Sequence, residues 1–423
     1  MSERIVIEGG YKLNGTVMMS GAKNATVALI PAIVLAHGPV TVFGVPGISD
    51  VDALATLLRE LNCSVEVYEN HIVVDPTYLK NVPLVSESVN KLRASYYFMG
   101  ALLGRFKEVT IKMPGGCYLG PRPIDLHLKG FEALGAKIST EDNETYTIKA
   151  DELVGNKIYL DIASVGATIN IMLAAVYAKG KTEIENAAKE PEIIDVANML
   201  TKMGAKIRGV GTDTITIEGV DHLDGCYHEI IPDRIEAGTY LILAAAAGER
   251  IVIQNVIPQH LDSLISKLKE MGVRMEISGD SIVVYGLSKD LKSIDVKTLP
   301  YPGLATDLQQ PLTALLTQAT GDSLVEETIY VERFKHCGEL KKMGANIDVA
   351  RGQCVVHGST PLHGASVSAT DLRCGAALVI AALIADGFTE INNVYHIDRG
   401  YDNIDHKLIM LGAHITRIEK EED

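Results

Sequence analysis

The stretch Met203-Gly204-Ala205-Lys206-Ile207 decides the fold, because closely similar stretches recur through the chain. In five of the copies the last apolar residue of a helical pattern is followed by Gly, which is typical of a helix C-terminus. The copies are about 70 residues apart, and a fixed period is the signature of a repeated structural unit. Six copies occur, beginning at Leu61 (a degenerate copy with Asn in place of Gly), Leu134, Met203, Met271, Met343 and Leu411.

The segments on either side of this stretch predict the rest of the unit. Residues 169–178 read as an apolar, Ala-rich helix and residues 182–185 as a strand. Residues 195–200 read as a second helix, and the alternating residues 214–218 as a strand. Each unit is therefore predicted to run strand, helix, strand, helix, strand, strand. Because the Ala-rich helices have little polar face, we expect them to be buried with the sheets packed outside them.

Length and charge limit the possible organisation and partners. A chain of 423 residues is too long for one ordinary core, so six repeats indicate two domains of three repeats each. The formal net charge of -15 argues against general binding to nucleic acid. A local cluster of Arg and Lys can still bind a small anion.

The chain has no segment that predicts export, membrane insertion or a metal site. Residues 1–7 read as a strand and not as a signal peptide. The most apolar stretch, 25–36, is too short to span a bilayer. The six cysteines form no C-x-x-C pair, which argues against zinc or redox motifs. We therefore expect a cytoplasmic protein with free thiols and no metal.

The first candidate for chemistry is the Gly- and Pro-rich segment Pro114-Gly115-Gly116-Cys117-Tyr118-Leu119-Gly120-Pro121-Arg122-Pro123. This composition predicts a loop. A Cys on such a loop near Arg122 would tend to be a reactive thiolate. The alternative is a small buried thiol that fills space. Loop context alone leaves both interpretations open.

The second candidate is Lys23-Asn24, at the start of the first apolar helix. Lys and Asn at a helix N-terminus can form an anion site, since free N–H groups and the helix dipole add to the Lys charge. The alternative is a capping Ser or Asn beside a solvated Lys, and this motif taken alone favours the alternative.

The third candidate is a set of arginines in apolar surroundings, which suits a ligand carrying phosphate and carboxylate groups. Asp233-Arg234 and Asp371-Leu372-Arg373 both stand where a strand leads into an Ala-rich helix. The alternative is a structural Asp–Arg pair, which is equally favoured for Asp233-Arg234. The arginines are Arg93, Arg234, Arg333, Arg373 and Arg399.

The fourth candidate is Asp307, at the start of the helix of the fifth repeat. Its carboxylate could cap the helix or act as a general base. The sequence alone favours the cap.

Together these motifs resemble the UDP-N-acetylglucosamine 1-carboxyvinyltransferase family over essentially the whole chain. The most specific part is residues 115–125 around Cys117, and residues 20–24, 164–168, 189–192 and 396–401 also look like family signatures. Details at 93–97 and 333–336 resemble the second paralogue of low-GC Gram-positive bacteria.

The resemblance implies an α/β fold of two inside-out, barrel-like domains with three-fold pseudosymmetry. Residues 21–230 would form the domain with the Cys117 loop, and residues 1–20 plus 231–423 the other, with the active site in the cleft between them. The implied reaction transfers the enolpyruvyl group of phosphoenolpyruvate to the 3′-hydroxyl of UDP-N-acetylglucosamine and releases phosphate. It is the first committed step of peptidoglycan synthesis and needs no metal or organic cofactor.

The resemblance also implies a role for each site residue. Cys117 would donate the proton to C3, and Asp307 would take the hydroxyl proton. Glu190 and Asp233 would support them, as would Arg333 and Asp371. Phosphoenolpyruvate would be held by Lys23, Asn24, Arg122, Arg373 and Arg399, and Lys23 and Arg399 would also be catalytic. The nucleotide sugar would contact Arg93, Arg122, Pro123, Ile124, Asp125, Leu126, Ser164, Val165, Asp307 and Ile329.

Two other functions stay open at this point. A shikimate-type enolpyruvyl transferase would share the fold and the donor, but that relative lacks the Cys117 loop. A non-catalytic paralogue could bind UDP-N-acetylglucosamine and regulate a partner. The presence of Cys117, Arg122 and Asp307 together argues against the second possibility.

Overall fold

The computed structural model describes residues 3–87, 89, 92–113, 124–140, 142, 144–286 and 290–419. For Arg93 it describes the backbone alone. The described residues form two compact units. Unit 1 contains residues 3–20 and 232–419, and unit 2 contains residues 21–231, within those ranges.

The described strands of both units are short. They are β1 Glu3–Glu8, β2 Leu13–Met18, β3 Val40–Phe43, β4 Ser64–Val67, β5 His71–Asp75, β6 Glu108–Lys112, β7 Lys137–Thr140, β8 Thr145–Lys149, β9 Lys157–Tyr159, β10 Lys181–Glu185, β11 Lys206–Arg208, β12 Thr214–Glu218, β13 Tyr227–Glu229, β14 Gly248–Gln254, β15 Arg274–Ser278, β16 Ser281–Tyr285, β17 Val296–Lys297, β18 Gly321–Glu326, β19 Ile347–Ala350, β20 Gln353–Gly358, β21 Ser366–Ser368, β22 Phe388–Asn392 and β23 His414–Glu419.

Helices alternate with these strands as the repeat predicts. The described α-helices are α1 Lys23–Ala32, α2 Ser49–Glu60, α3 Tyr97–Phe106, α4 Asp125–Ala133, α5 Val165–Ala175, α6 Pro191–Met203, α7 Arg234–Ala247, α8 Asp262–Glu270, α9 Thr306–Leu316, α10 Lys335–Lys342, α11 Leu372–Ile384, α12 Tyr395–Asp398 and α13 Ile404–Met410. Short 3-10 helices occur at Ile33–Leu35, Arg93–Tyr96 and Pro258–Leu261.

The described strands form six small sheets, three in each unit. The sheet of β9 to β12 shows the common pattern: β9 pairs parallel with β10, and β10, β12 and β11 follow antiparallel. Five sheets have four strands in this arrangement. The sheet of β6, β8 and β7 has three, and a parallel bridge from Leu84 to Ile111 stands where the fourth strand would be. The predicted β-α-β-α-β-β repeat and α/β fold class are confirmed.

Three strands pair with strands that are far from them in the sequence. β1 pairs antiparallel with both β22 and β23, β2 pairs parallel with β14, and β13 pairs parallel with β3. Residues 3–18 therefore complete two sheets of unit 1, whose other strands come from residues 248–419. Unit 2 is closed in the same way, because its last strand joins its first sheet.

The apolar helices lie inside each unit, with the sheets outside them. Residues 166–175 of α5 are all buried, as are residues 373–383 of α11. α3 and α5 pack closely, since a Cβ added at Gly100 would lie 2.2 Å from the Asn170 carbonyl oxygen. A side chain at that position would force the two helices apart. This arrangement explains why these helices lack the polar face of surface helices.

The repeated stretch forms the same helix ending in all six copies. After α6, the N–H of Gly204 bonds to the Thr201 carbonyl and the N–H of Ala205 to the Leu200 carbonyl, which is the Schellman arrangement. The degenerate copy keeps it, because Asn62 adopts a φ of 65° in the position of Gly. The glycines equivalent to Gly204 have positive φ throughout, at 135, 204, 272, 344 and 412.

Gly272→Ala is expected to destabilise unit 1 by about 1 kcal/mol, because an L-residue is strained at its φ of +96°. An added Cβ would meet no atom within 4 Å there, so backbone strain is the only cost. Gly338→Ala is the matched control, since Gly338 lies inside α10 with equally open space. That change should stabilise by up to about 1 kcal/mol. Thermal unfolding of both variants checks the opposite signs, and equal shifts would contradict the Schellman assignment.

Among the described residues, no helix combines the length and the apolar character needed to cross a membrane.

Candidate functional site

In unit 1, the start of α9 holds a carboxylate between two buried arginines. Arg333 donates through Nη1 to Asp307 Oδ1 at 2.8 Å, and Arg373 donates through Nη2 to Asp307 Oδ2 at 3.3 Å. The arginine side chains are 4% and 3% exposed, whereas that of Asp307 is 24% exposed. The structure thus brings three predicted site residues together and leaves the carboxylate accessible.

Arg373 is held firmly as a cation. Its Nη1 donates to the Tyr401 hydroxyl at 3.1 Å, and that hydroxyl lies 2.8 Å from Thr239 Oγ1 on α7. Burial acts to lower the pKa of Arg373, but its interactions with Tyr401, Asp307 and Asp233 outweigh burial and raise it above the ordinary value. A guanidinium has five N–H donors, so Arg373 can hold Asp307 and Tyr401 and still bind an anion.

The three predicted acidic residues at helix starts differ in what they do. The Asp233 side chain caps α7 by accepting from the N–H groups of Ile235 and Glu236, and Asp371 caps α11 in the same way. Asp307 is not a cap: the N-cap of α9 is Ala305 and it makes no side-chain cap bond. The cap that the sequence alone favours for Asp307 is therefore wrong, because the two arginines bind its carboxylate from other elements.

In unit 2, Lys23 forms an ion pair at the start of α1. Its Nζ lies 3.0 Å from Asp50 Oδ2, and the side chains are 14% and 5% exposed. The N-cap of α1 is Ala22, without a side-chain cap bond. The interpretation as a capping Ser or Asn with a solvated Lys is therefore wrong. Asn24 follows in the first turn of the same helix, half-buried.

The starts of α4 and α5 carry the residues predicted to contact the nucleotide sugar. Ser164 caps α5 by accepting from the N–H of Ala167 at 3.2 Å. Ile124 is the N-cap of α4, Asp125 lies in its first turn, and Leu126 is partly buried. Val165 begins α5 and is also partly buried.

A buried histidine links these two helices. Asn170 on α5 donates to His127 Nδ1 at 2.8 Å, while its Oδ1 accepts from the N–H of Gly100 on α3. Burial lowers the pKa of His127 to about 4, so the ring is neutral at pH 7. The neutral ring and the amide thus link α3, α4 and α5 within unit 2.

Three further predicted residues lie at the ends of elements. Glu190 is the N-cap residue of α6 and makes no side-chain cap bond. Arg399 is the C-cap residue of α12, directly after Asp398, which Arg417 binds through Nη1 and Nη2 at 2.9 Å. Ile329 follows β18, is 37% exposed, and donates its N–H to Glu327.

Part of the predicted site lies outside the described residues. Cys117, Arg122 and Pro123 fall in the segment that the structure leaves out, and the side chain of Arg93 is also left out. Their roles therefore stay predictions.

Sequence reasoning missed several polar residues that the structure places beside predicted ones. Asp50 pairs with Lys23, Tyr401 with Arg373, and the buried Glu327 with Thr306. A weak signal existed for Asp50, which is an acid in the first turn of a helix. No local pattern marks Glu327, because its side-chain partners Thr298 and Thr306 lie 29 and 21 residues away from it in the chain.

A buried carboxylate also anchors Ser20, the last residue of unit 1 before the Lys23 motif. Glu236 Oε2 accepts from the Ser20 N–H at 2.7 Å, and its Oε1 accepts from Lys407 Nζ at 2.6 Å. Burial raises the pKa of Glu236 to about 7, and Lys407 only partly offsets this.

Glu236 is expected to make stability fall with rising pH. The pKa of Glu236 in the folded state lies above the ordinary value of 4.5. Between pH 4.5 and about 7 the folded protein therefore binds this proton more tightly than the unfolded protein does. Across this window the free energy of unfolding should decrease by on the order of 3 kcal/mol. Glu236→Gln removes this dependence, so its stability relative to the natural protein should rise from pH 5 to pH 8.

Thermal midpoints at both pH values measure that difference. Glu270→Gln is the control, because Glu270 pairs with Lys267 at the surface and is 52% exposed. A difference between Glu236→Gln and the natural protein that stays constant with pH would contradict the assignment.

Solved structures of enolpyruvyl transferases share this fold. The enolpyruvyl transferase NikO from Streptomyces tendae matches with a TM-score of 0.91 and 25% identity, over 98% of this chain and 99% of that one. EPSP synthase from Acinetobacter baumannii matches with a TM-score of 0.73 and 20% identity, over 99% and 100% of the two chains. The second likeness concerns the fold alone. The fold of the chain is thus that of the enolpyruvyl transferases.

Sequence comparison leads to the family. The family model described as EPSP synthase (3-phosphoshikimate 1-carboxyvinyltransferase) matches residues 7–408. UDP-N-acetylglucosamine 1-carboxyvinyltransferase 2 of Listeria monocytogenes is 60% identical over 99% of this chain and 98% of its own. The protein of that name from Bacillus subtilis is 58% identical over 98% and 96%. The chain belongs to the EPSP synthase family, and within it to the UDP-N-acetylglucosamine 1-carboxyvinyltransferases.

Proposed function

We propose that this chain transfers the enolpyruvyl group of phosphoenolpyruvate to the 3′-hydroxyl of UDP-N-acetylglucosamine and releases phosphate. The structural observation that carries the proposal is the carboxylate of Asp307, partly exposed and held by two buried arginines. It offers a base and a fixed cation at one place, as the attack of a hydroxyl on an anionic donor requires. The high identity to relatives named for this activity supports the same conclusion.

The reaction has two stages in this proposal. In the first stage the oxygen of the sugar hydroxyl bonds to C2 of phosphoenolpyruvate, and Asp307 accepts the hydroxyl proton. Cys117 donates a proton to C3, which gives a tetrahedral ketal. A proton then leaves C3, the C2–O bond to phosphate breaks, and the double bond forms again. Because C2 gains positive charge on the way, nearby carboxylates such as Glu190 and Asp233 stabilise it.

The cations have a separate task, which is to hold the donor. Lys23, Arg122, Arg373 and Arg399 bind the phosphate and carboxylate groups of phosphoenolpyruvate, with Asn24 beside them. Asp50 keeps the Lys23 ammonium in place at the start of α1, where the helix dipole also favours an anion. Residues at the starts of α4 and α5, with Arg93, Pro123 and Ile329, frame the pocket for the nucleotide sugar.

The proposal extends to the cellular role. The product would enter peptidoglycan synthesis, and the protein would act in the cytoplasm. In this proposal the reaction requires no metal, organic cofactor or nucleic acid.

Phosphate release from the purified protein tests this function. Phosphoenolpyruvate is supplied with UDP-N-acetylglucosamine in one reaction and with shikimate 3-phosphate in another. We expect release with the nucleotide sugar alone. Release with the shikimate ester alone would assign the shikimate-type activity. Binding of the nucleotide sugar without release would assign a non-catalytic, regulatory paralogue.

A further inference from the structure

Glu327 is a buried carboxylate that directly follows β18 and is 2% exposed. Its Oε1 accepts from Thr298 Oγ1 at 2.8 Å and from the N–H groups of Ile329 and Tyr330 at 2.9 and 3.0 Å. Its Oε2 accepts from Thr306 Oγ1 at 2.9 Å. Its two oxygens thus accept four hydrogen bonds, which uses the full acceptor capacity of a carboxylate.

The same position in three other repeats carries a neutral amide. The equivalent residue after the corresponding strand is Asn with positive φ, and its side-chain N–H donates to a backbone carbonyl of the neighbouring segment. The fifth repeat has a charged acceptor there instead. The asparagines are Asn186, Asn255 and Asn393, with carbonyl partners Leu160, Met19 and Ala369.

A continuous hydrogen-bond chain connects Glu327 to Asp307. Thr306 Oγ1 donates to Glu327 and accepts from Arg333 Nη1 at 3.0 Å. The same Arg333 nitrogen donates to Asp307 Oδ1 at 2.8 Å. Because Arg can only donate and an ionised carboxylate can only accept, the direction of every bond in the chain is fixed. Glu327 and Asp307 together also balance the charges of Arg333 and Arg373.

We propose that Glu327 is a positioning residue for catalysis, which fixes Arg333 and thereby Asp307 through the hydroxyl of Thr306. The inference rests on the proposed function of Asp307 as base. Through Oε1 the same carboxylate orders the backbone of Ile329, which is expected to contact the nucleotide sugar. The two oxygens thus serve different parts of the site, and a substitution can separate them.

Glu327→Gln separates them because Gln keeps one acceptor oxygen. That oxygen can retain the bonds from Thr298, Ile329 and Tyr330. The new Nε2 faces the Thr306 hydroxyl, which already accepts from Arg333 and can no longer donate to residue 327. We expect kcat to fall about 10- to 100-fold, since a bond to a charged acceptor is lost. KM and Kd for UDP-N-acetylglucosamine should change less than about 3-fold, because the contacts on the Ile329 side remain.

Thr306 variants test the connection independently. Thr306→Val removes the hydroxyl at nearly constant shape and should lower kcat as much as Glu327→Gln. Thr306→Ser should restore most of the activity lost in Thr306→Val. The double variant Glu327→Gln/Thr306→Val should be no worse than either single change, because both break one chain. Glu326→Gln is the matched control: this neighbour pairs with Lys297, is 39% exposed, and should leave kcat unchanged.

The experiment measures kcat and KM by phosphate release and Kd by calorimetry for all variants and the natural protein. If the natural protein is active and Glu327→Gln has the same kcat, this inference is overturned and the proposed function stands. Additive losses in the double variant, or a loss confined to KM and Kd, would also overturn it. If the natural protein releases no phosphate with UDP-N-acetylglucosamine, both the positioning role of Glu327 and the proposed function are overturned.

Discussion

Asp307→Asn is expected to lower kcat for phosphate release by about 10²- to 10⁴-fold, the usual contribution of a general base. Asn has nearly the same shape, and its oxygen can still accept from Arg333 or Arg373. It cannot take the proton of the attacking hydroxyl at any pH used in the assay. The loss should therefore appear in kcat and persist across the pH range, while the protein stays folded.

The control for this variant is a carboxylate of unit 1 that lies away from the site. Asp322 on β18 pairs with His357 at 2.8 Å and its side chain is 68% exposed. Asp322→Asn should retain full turnover. The assay is phosphate release under saturating substrates, with thermal unfolding to verify the fold. Turnover of Asp307→Asn within a few-fold of the natural protein would remove Asp307 from the role of base.

Cys117→Ala should reduce turnover by about 10²-fold or more, because no other group is assigned to protonate C3. Cys117→Asp should retain part of the activity, since a carboxyl group can also donate a proton. Both variants should lose the fast reaction with iodoacetamide at neutral pH, because the thiolate is the reactive form. Phosphate release and intact-mass spectrometry measure the two properties.

The other cysteines make this alkylation test selective. Burial raises the pKa of Cys63 to about 12 and that of Cys374 to about 11, so neither forms thiolate at pH 7. Cys337 and Cys354 are buried as well. Cys226 is half-buried and its pKa is also raised by burial, so Cys226→Ser is the control that should keep both activity and alkylation. Full activity in Cys117→Ala would exclude the proton-donor role.

The repeat could be predicted from sequence because its signal is local. A Schellman ending needs a residue that tolerates positive φ directly after the helix, and Gly or Asn at that point shows in the sequence. The strands at 181–185 and 214–218 and the helices around 165–175 and 191–203 follow from periodicity within one segment. The composition of α5 and α11 likewise indicated that these helices are buried.

The sequence predicts candidate site residues but not the contacts between their side chains. Motifs pointed to Asp307, Arg333 and Arg373, but the two arginines are 26 and 66 residues away from Asp307 in the chain. No local pattern could tell a cap from a carboxylate held by arginines, so the cap was favoured for Asp307. The prediction of a solvated Lys23 is wrong for the same reason, since its partner Asp50 comes from another helix.

By itself, the sequence determined the six-fold repeat and the α/β class, because these depend on neighbours along the chain, and its motifs predict the candidate site residues. Only the tertiary structure decided which strands close each unit, with β1 between β22 and β23 and β13 beside β3. It also decided that Glu327, Thr306, Arg333 and Asp307 form one hydrogen-bond chain. Such bonds join groups from separate segments, and only packing brings their atoms within 3 Å of one another.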